Sequence, residues 1–252
     1  MTVNFKHALV TGGGSGIGSA IAEALAQAGV AVTICGRRLE PLEDVARGNA
    51  NIHSQVADVT DEASVAQLYE SAQAARGPFD IVVANAGMAV SAPAGKTSLD
   101  LWQQTMNVNL TGAFLSVRPA VDTMRKAGGG RIVFIASIAG LKGAPYIAAY
   151  VASKHGVVGL TRALAAELAH TSVTVNAICP GYVETPLLER TVANIIEKTG
   201  RDEATARAAV TKDNPQGRIL DPQEIAETVL WLCSPGAQSV TGQAIAMSGG
   251  EA

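Results

Sequence analysis

Short apolar runs and longer stretches of helical period alternate along this chain. Seven runs read as strands: HALVT (7–11), AVTIC (31–35), IHSQVAD (52–58), DIVVAN (80–85), RIVFIAS (131–137), VTVNAIC (173–179) and QAIAMS (243–248). Most are apolar at consecutive positions, the pattern of a strand covered on both faces. Between the first two, Ile17, Ile21, Ala24, Leu25 and Ala28 fall on one face of a helix. Gly29 follows, where a helix C-terminus takes the left-handed conformation.

The alternation continues to the last residues without a Pro/Ser-rich linker or a low-complexity tract. Right-handed crossovers between such strands build an open, doubly wound α/β sheet with helices on both faces. One domain over residues 1–252 is expected. The rhythm breaks from about Glu184 to Arg218, where no strand pattern appears. There Leu188, Val192, Ile195 and Ile196 share one helical face and charged residues the other. An amphipathic excursion after a strand's carboxyl end sits where a substrate lid would sit, over about 184–218.

Composition narrows the partners. The 252 residues are 48% hydrophobic and 16% charged, with net charge −3 and scattered basic residues, so nothing electrostatic favours nucleic acid or an anionic membrane. No apolar run is long enough to span a bilayer, and MTVNFKHALVTGG runs directly into the first strand without a signal-peptide pattern. Cys35, Cys179 and Cys233 are odd in number, far apart and without CxxC spacing, so they read as buried thiols of a reducing, cytoplasmic setting. No metal site is expected.

The glycine-rich stretch TGGGSGIG (11–18) lies after the first strand and opens the first helix. In a βαβ unit such a loop lets the backbone approach a pyrophosphate while the helix N-terminus offers free N–H groups. Gly12, Ser15, Gly16, Ile17 and Gly18 are the candidates. The second strand ends in TICGRR, where many dinucleotide sites carry an acidic residue for the ribose 2′-hydroxyl. Gly36 followed by Arg37 and Arg38 suits a 2′-phosphate instead, so NADP(H) is favoured over NAD(H). Asp58 and Val59, at the end of the third strand, are candidates for the adenine, with Thr60 or Asp61 better placed to cap the following helix.

YVASK places Tyr150 and Lys154 at i and i+4, on one face of a helix. Ser137 ends the fifth run, at the sheet edge where ligands bind in this architecture. A neighbouring ammonium and a positive nicotinamide would lower the Tyr150 phenol towards neutrality and make it an acid or base.

TGGGSGIG, ANAG (84–87), NVNLTG (107–112), Ser137, YVASK and PGYVETP (180–186) stand in the order and spacing of the short-chain dehydrogenase/reductase family, which the chain resembles over essentially its whole length. The resemblance implies a single Rossmann-type domain with a seven-stranded parallel sheet, usually in a homotetramer. It casts Tyr150 as proton donor to a substrate carbonyl, or as base in oxidation. Lys154 would hold the nicotinamide ribose and tune Tyr150, Ser137 would polarise the carbonyl, and Asn109 would hold a water linking Lys154 to solvent. Asn85, Ala86 and Gly87 would line the cofactor. Pro180, Gly181, Val183 and Thr185 would grip the nicotinamide carboxamide.

For the substrate, the resemblance divides. The stretch from YVASK to PGYVETPL is similar to polyketide and ketoacyl-thioester ketoreductases, and the lid is similar to that of 3-hydroxybutyrate dehydrogenases. Met88, Ala89, Val90, Ile138 and Ala139 offer a small free acid few hydrogen bonds. An apolar pocket from Met88, Val90, Ile138, Leu141, Ile147, Tyr182, Leu187 and Leu188 suits an acyl chain or ring, about half of these facing substrate and the rest core. Gly128 and Thr171 stand where carrier-protein-docking arginines would be, so a 3-oxoacyl thioester of the CoA kind, or another apolar β-keto compound, is the expected substrate. Two alternatives are an NAD-dependent dehydrogenase of a secondary alcohol or of the 3-hydroxyacyl-CoA or 3-hydroxybutyrate type, and a dinucleotide-binding regulator that does not catalyse.

Overall fold

The seven runs all form strands, joined in one parallel sheet of order β3-β2-β1-β4-β5-β6-β7. The computed structural model describes residues 3–252. The strands are β1 (His7–Thr11), β2 (Ala31–Gly36), β3 (Ile52–Val56), β4 (Ile81–Ala84), β5 (Gly130–Ile135), β6 (Val173–Pro180) and β7 (Ala244–Met247). The order reverses between β1 and β4, which leaves a crevice beyond their carboxyl ends.

Successive strand residues face opposite layers. Ala8 and Val10 of β1 point to the layer containing α1 (Gly16–Gln27), α2 (Leu39–Arg47) and α9 (Pro222–Leu232). Leu9 points to the layer of α3 (Glu62–Arg76), α5 (Gly112–Ala127) and α6 (Ala148–Glu167). Both layers are continuous apolar cores, which is why the strand sequences do not alternate. Cys35, Cys179 and Cys233 are free and buried within them.

Two features follow from local sequence. Asp221 caps α9 in a reciprocal box with Glu224, and Pro222 occupies its first turn. Between α4 (Leu99–Met106) and α5 the helix widens into a π turn at Asn107–Thr111, marked by Gly112 N–H donating to Asn107 five residues back. The stretch without strands holds α7 (Pro186–Thr199) and α8 (Glu203–Thr211). Leu188, Val192, Ala206 and Val210 form a small core of their own between these two helices. No helix among the described residues is long and apolar enough to cross a membrane.

Candidate active site

The loop after β1 is tied to its neighbours on both sides. Gly12 and Gly13 N–H donate to the Cys35 carbonyl at 2.7 and 3.2 Å. Asn85 Nδ2, after β4, donates to the carbonyls of Thr11 and Gly12 at 2.9 and 3.2 Å. Thr11 Oγ1 accepts from the N–H groups of Asn85 and Ala86, both at 3.0 Å. The Nδ2 of Asn85 therefore shapes the loop, while Ala86 and the exposed Gly87 continue along the crevice.

Ser15 is exposed and extended at the head of α1, and no side chain caps that helix. Its first-turn N–H groups are thus open to an anion. Gly16 has φ 57°, and a Cβ there would lie 2.9 Å from Thr185 Cγ2. Only glycine allows that turn against that neighbour. Ile17 packs against the core and Gly18 is buried in the first turn.

At the end of β2, Arg37 and Arg38 are exposed, and neither makes an ion pair among the described residues. Arg37 borders a cavity of about 320 Å³ shared with Thr60, Asp100, Gln103, Gln104, Asn107 and Val108. Asp58 accepts from Thr60 N–H at 2.9 Å and Thr60 Oγ1 at 2.7 Å. These bonds, helped by the Arg37 charge, hold its carboxyl below the usual range. Asp61, not Asp58, caps α3, accepting from Ala63 N–H. Val59 is buried beside it. An open helix N-terminus on a glycine turn, with an unpaired guanidinium at the next strand end, fits a phosphorylated dinucleotide.

Ser137 follows β5 and accepts from Ala139 N–H at 3.1 Å, capping the short turn Ile138–Gly140. A Cβ at Gly140 would lie 2.7 Å from the Lys154 carbonyl, so this turn lies flat against α6. That contact brings Ser137 beside Tyr150 and Lys154, one helical turn apart. Lys154 Nζ is 5.7 Å from the centre of the Tyr150 ring and donates to the Ile135 carbonyl at 2.8 Å. Burial lowers the Lys154 ammonium to about 8.

The Tyr150 phenol departs from expectation. Burial raises it above its ordinary value, the Ser137 hydroxyl opposes this, and Tyr182 and Cys179 add to the rise. The Lys154 ammonium does not bring it down in the protein alone.

Asn109 is tied into the fold through its side chain. It sits in the π turn and is buried. Its Oδ1 accepts from Met88 N–H at 2.8 Å, and its Nδ2 donates to the Met88 carbonyl and Ser153 Oγ at 2.9 and 3.0 Å. Both donors and one of two lone pairs are taken, so the side chain is an anchor for Met88 with one lone pair left for a water.

The far side of the crevice is built after β6. Gly181 N–H donates to the Met247 carbonyl, and Pro180 pairs with β7. Val183 is buried and bridges Leu220, and Thr185 caps α7 by accepting from Leu188 N–H. Of the pocket candidates, Val90 and Tyr182 are exposed, while Met88, Leu141, Ile147 and Leu187 are half-buried. Ile138 is buried. Leu188 is not a pocket residue: it is 3% exposed and packs between α7 and α8.

Sequence reasoning missed Ser91 and Tyr146. Tyr146, with φ 67°, is the one non-glycine residue among those described in the left-handed region, and its carbonyl accepts from Ala92 N–H at 2.7 Å. Only its place just before α6 could have drawn attention to it.

The family model for the short chain dehydrogenase matches residues 6–195. A cis-4-hydroxycyclohexanecarboxylate dehydrogenase from Sinomonas cyclohexanicum is 39% identical over 250 residues, covering 97% of this chain and 96% of the relative. A D-beta-hydroxybutyrate dehydrogenase from Rhizobium meliloti is 35% identical over 252 residues, covering 97% and 98%. A variant of actinorhodin polyketide ketoreductase, crystallised with NADPH, superposes with TM-score 0.94 at 37% identity, covering 100% of this chain and 99% of that one.

Proposed function

The chain belongs to the short-chain dehydrogenase family, and on that premise we propose that it is an NADP(H)-dependent ketoreductase for an apolar β-keto compound, a 3-oxoacyl thioester of the CoA kind or a close analogue. As a member of that family it is an oxidoreductase acting on a ketone or alcohol. One observation carries the rest: Tyr150 and a buried Lys154 share a face of α6 beside Ser137, at the carboxyl edge of the sheet.

When bound, the nicotinamide supplies the hydride. Ser137 Oγ donates to the substrate carbonyl oxygen and polarises it. Tyr150 Oη then gives its proton to that oxygen as negative charge builds. Burial keeps the phenol protonated at neutral pH, the form that reduction requires. Lys154 has two N–H groups beyond its bond to Ile135, which suit the ribose hydroxyls, and its charge steadies the phenolate left behind. The unpaired Arg37 holds the 2′-phosphate.

Helices α7 and α8 form the lid of the one domain, with Leu187, Tyr182, Met88 and Val90 lining the apolar space beneath it. The relative named for β-hydroxybutyrate does not change this reading, because Met88, Ala89 and Val90 present no side-chain donor to a carboxylate. Trp102 and Phe114, exposed on α4 and α5, supply surfaces for a homotetramer, and the three free thiols suit the cytoplasm.

The test is a titration of NADPH and NADH against acetoacetyl-CoA, β-keto esters and cyclic ketones. NADPH consumption with at least one of these is expected, falling by about 10³-fold or more in Tyr150→Phe. No turnover, a preference for NADH, or an active Tyr150→Phe enzyme would each sink the proposal.

A further inference from the structure

The chain between Gly87 and Pro93 follows β4 at the carboxyl edge of the sheet and is held at both ends. Asn109 clamps Met88 through both its N–H and its carbonyl, at 2.8 and 2.9 Å. Ala92 N–H donates to the Tyr146 carbonyl, four residues before Tyr150. A tyrosine in the left-handed region costs energy, and this strained residue is the one whose carbonyl holds Ala92. The segment is thus a fixed strut joined to the start of α6.

Ser91 lies on this strut, and its side chain points to the helix above. Ser91 Oγ accepts from Asn194 Nδ2 at 3.0 Å. Lys198 Nζ donates to the Ser91 carbonyl at 3.3 Å and to its Oγ at 3.4 Å. Asn194 and Lys198 are one turn apart on α7, away from the Leu188–Val192 face that packs on α8. The apolar face of α7 therefore binds its partner helix, and the polar pair binds the strut.

We propose that Ser91 is a positioning residue onto which α7 docks, so that the bond from Asn194 sets the height of the lid and the size of substrate the pocket holds closed. This rests on the ketone site described above. A small ketone leaves both contacts intact and gains from closure. A bulky one holds α7 away from Ser91 and gains nothing from the contact.

The test uses the full-length protein carrying Ser91→Ala, Asn194→Ala or both. Amide exchange across residues 186–199 should be about three- to tenfold faster in each single variant, the range set by one lost hydrogen bond, and no faster in the double. Exchange in β5 and α6 should stay as in the wild type. With NADPH, KM for a small β-keto ester should rise about three- to tenfold while kcat stays within about twofold, and KM for a bicyclic ketone should hardly move. Unchanged exchange in α7, additive single effects, or equal losses for both ketones would overturn the proposal. Should the wild type reduce no ketone, the exchange data still judge the docking, and only the proposed function falls.

Discussion

His7 and Lys154 are buried bases at opposite edges of the sheet, and burial lowers both below their ordinary values. Lys154 lies at the carboxyl edge and donates to the Ile135 carbonyl. His7 opens β1 at the amino edge, where its Nδ1 meets the Gly77 carbonyl at 2.8 Å. Its Nε2 meets Thr33 Oγ1 at 2.9 Å, and its ring packs on Phe79 with centres 4.2 Å apart. Both ring nitrogens are matched and one face is covered. Lys154, by contrast, has a single partner among the described residues and lies beside the Tyr150 ring. A depressed pKa thus marks burial and is common to both. Unused donors facing the crevice separate the base we assign to chemistry from the one that holds the fold.

The sharpest way to break this comparison is Lys154→Met, similar in volume and without the charge. Its kcat/KM for ketone reduction should fall by about 10²- to 10⁴-fold, with weaker dinucleotide binding in a fluorescence titration. Stability in denaturant should hardly change, because the variant replaces a desolvated ammonium by an apolar side chain. In the wild type, reduction should decline as pH rises through about 8, where Lys154 loses its proton. A variant that loses stability and keeps its activity would place Lys154 with His7.

His7 should behave in the opposite way. Its folded-state pKa lies below the ordinary 6.5, so the unfolded chain takes up a proton that the folded chain refuses. Its contribution is therefore whole above about pH 6.5 and is lost as pH falls from there towards the folded value. His7→Ala strips partners from the Gly77 carbonyl and Thr33 and opens space beside Phe79, at a cost of roughly 2–3 kcal/mol. Urea unfolding between pH 7.5 and 5 should show a smaller acid loss in the variant than in the wild type, with kcat/KM at pH 7.5 unchanged. Parallel pH curves would show that His7 carries none of the acid sensitivity.

The same contrast separates what the sequence made legible from what it hid. Strands buried on both faces leave runs of largely apolar residues, as in β1, β2, β4, β5 and β6, and the half-exposed edge strands β3 and β7 were readable too. The glycine turn and the Tyr150–Lys154 spacing were readable because backbone geometry and helical period are local. Leu188 shows the limit. Its period marks an inward face, but whether that face meets substrate or α8 depends on a helix that follows it. Ser91 and Asn194 are 103 residues apart with no local pattern between them. The raised Tyr150 phenol and the engaged Asn109 are likewise sums over distant neighbours: burial outweighs the Ser137 hydrogen bond at Tyr150, and three hydrogen bonds tie the Asn109 side chain to Met88 and Ser153.

The smallest effect is expected in the proposed lid, where charges face water. Arg207 on α8 gathers three carboxylates: Glu203 at 3.2 Å, Glu184 at 3.3 Å, and Glu189 on α7. One guanidinium among three acids leaves the cluster negative, so Arg207→Ala removes attraction and exposes repulsion at once. The cluster is partly solvated, however, and water and salt weaken both terms. KM for a small β-keto ester should rise only about two- to threefold at low ionic strength, with kcat unchanged, and the rise should shrink in 0.5 M salt as screening shortens to roughly 4 Å. A salt-independent loss comparable with that of Lys154→Met would mean that α8 is braced as firmly as α6. The lid would then belong with the fixed chemistry of the sheet edge rather than with the adjustable cover above it.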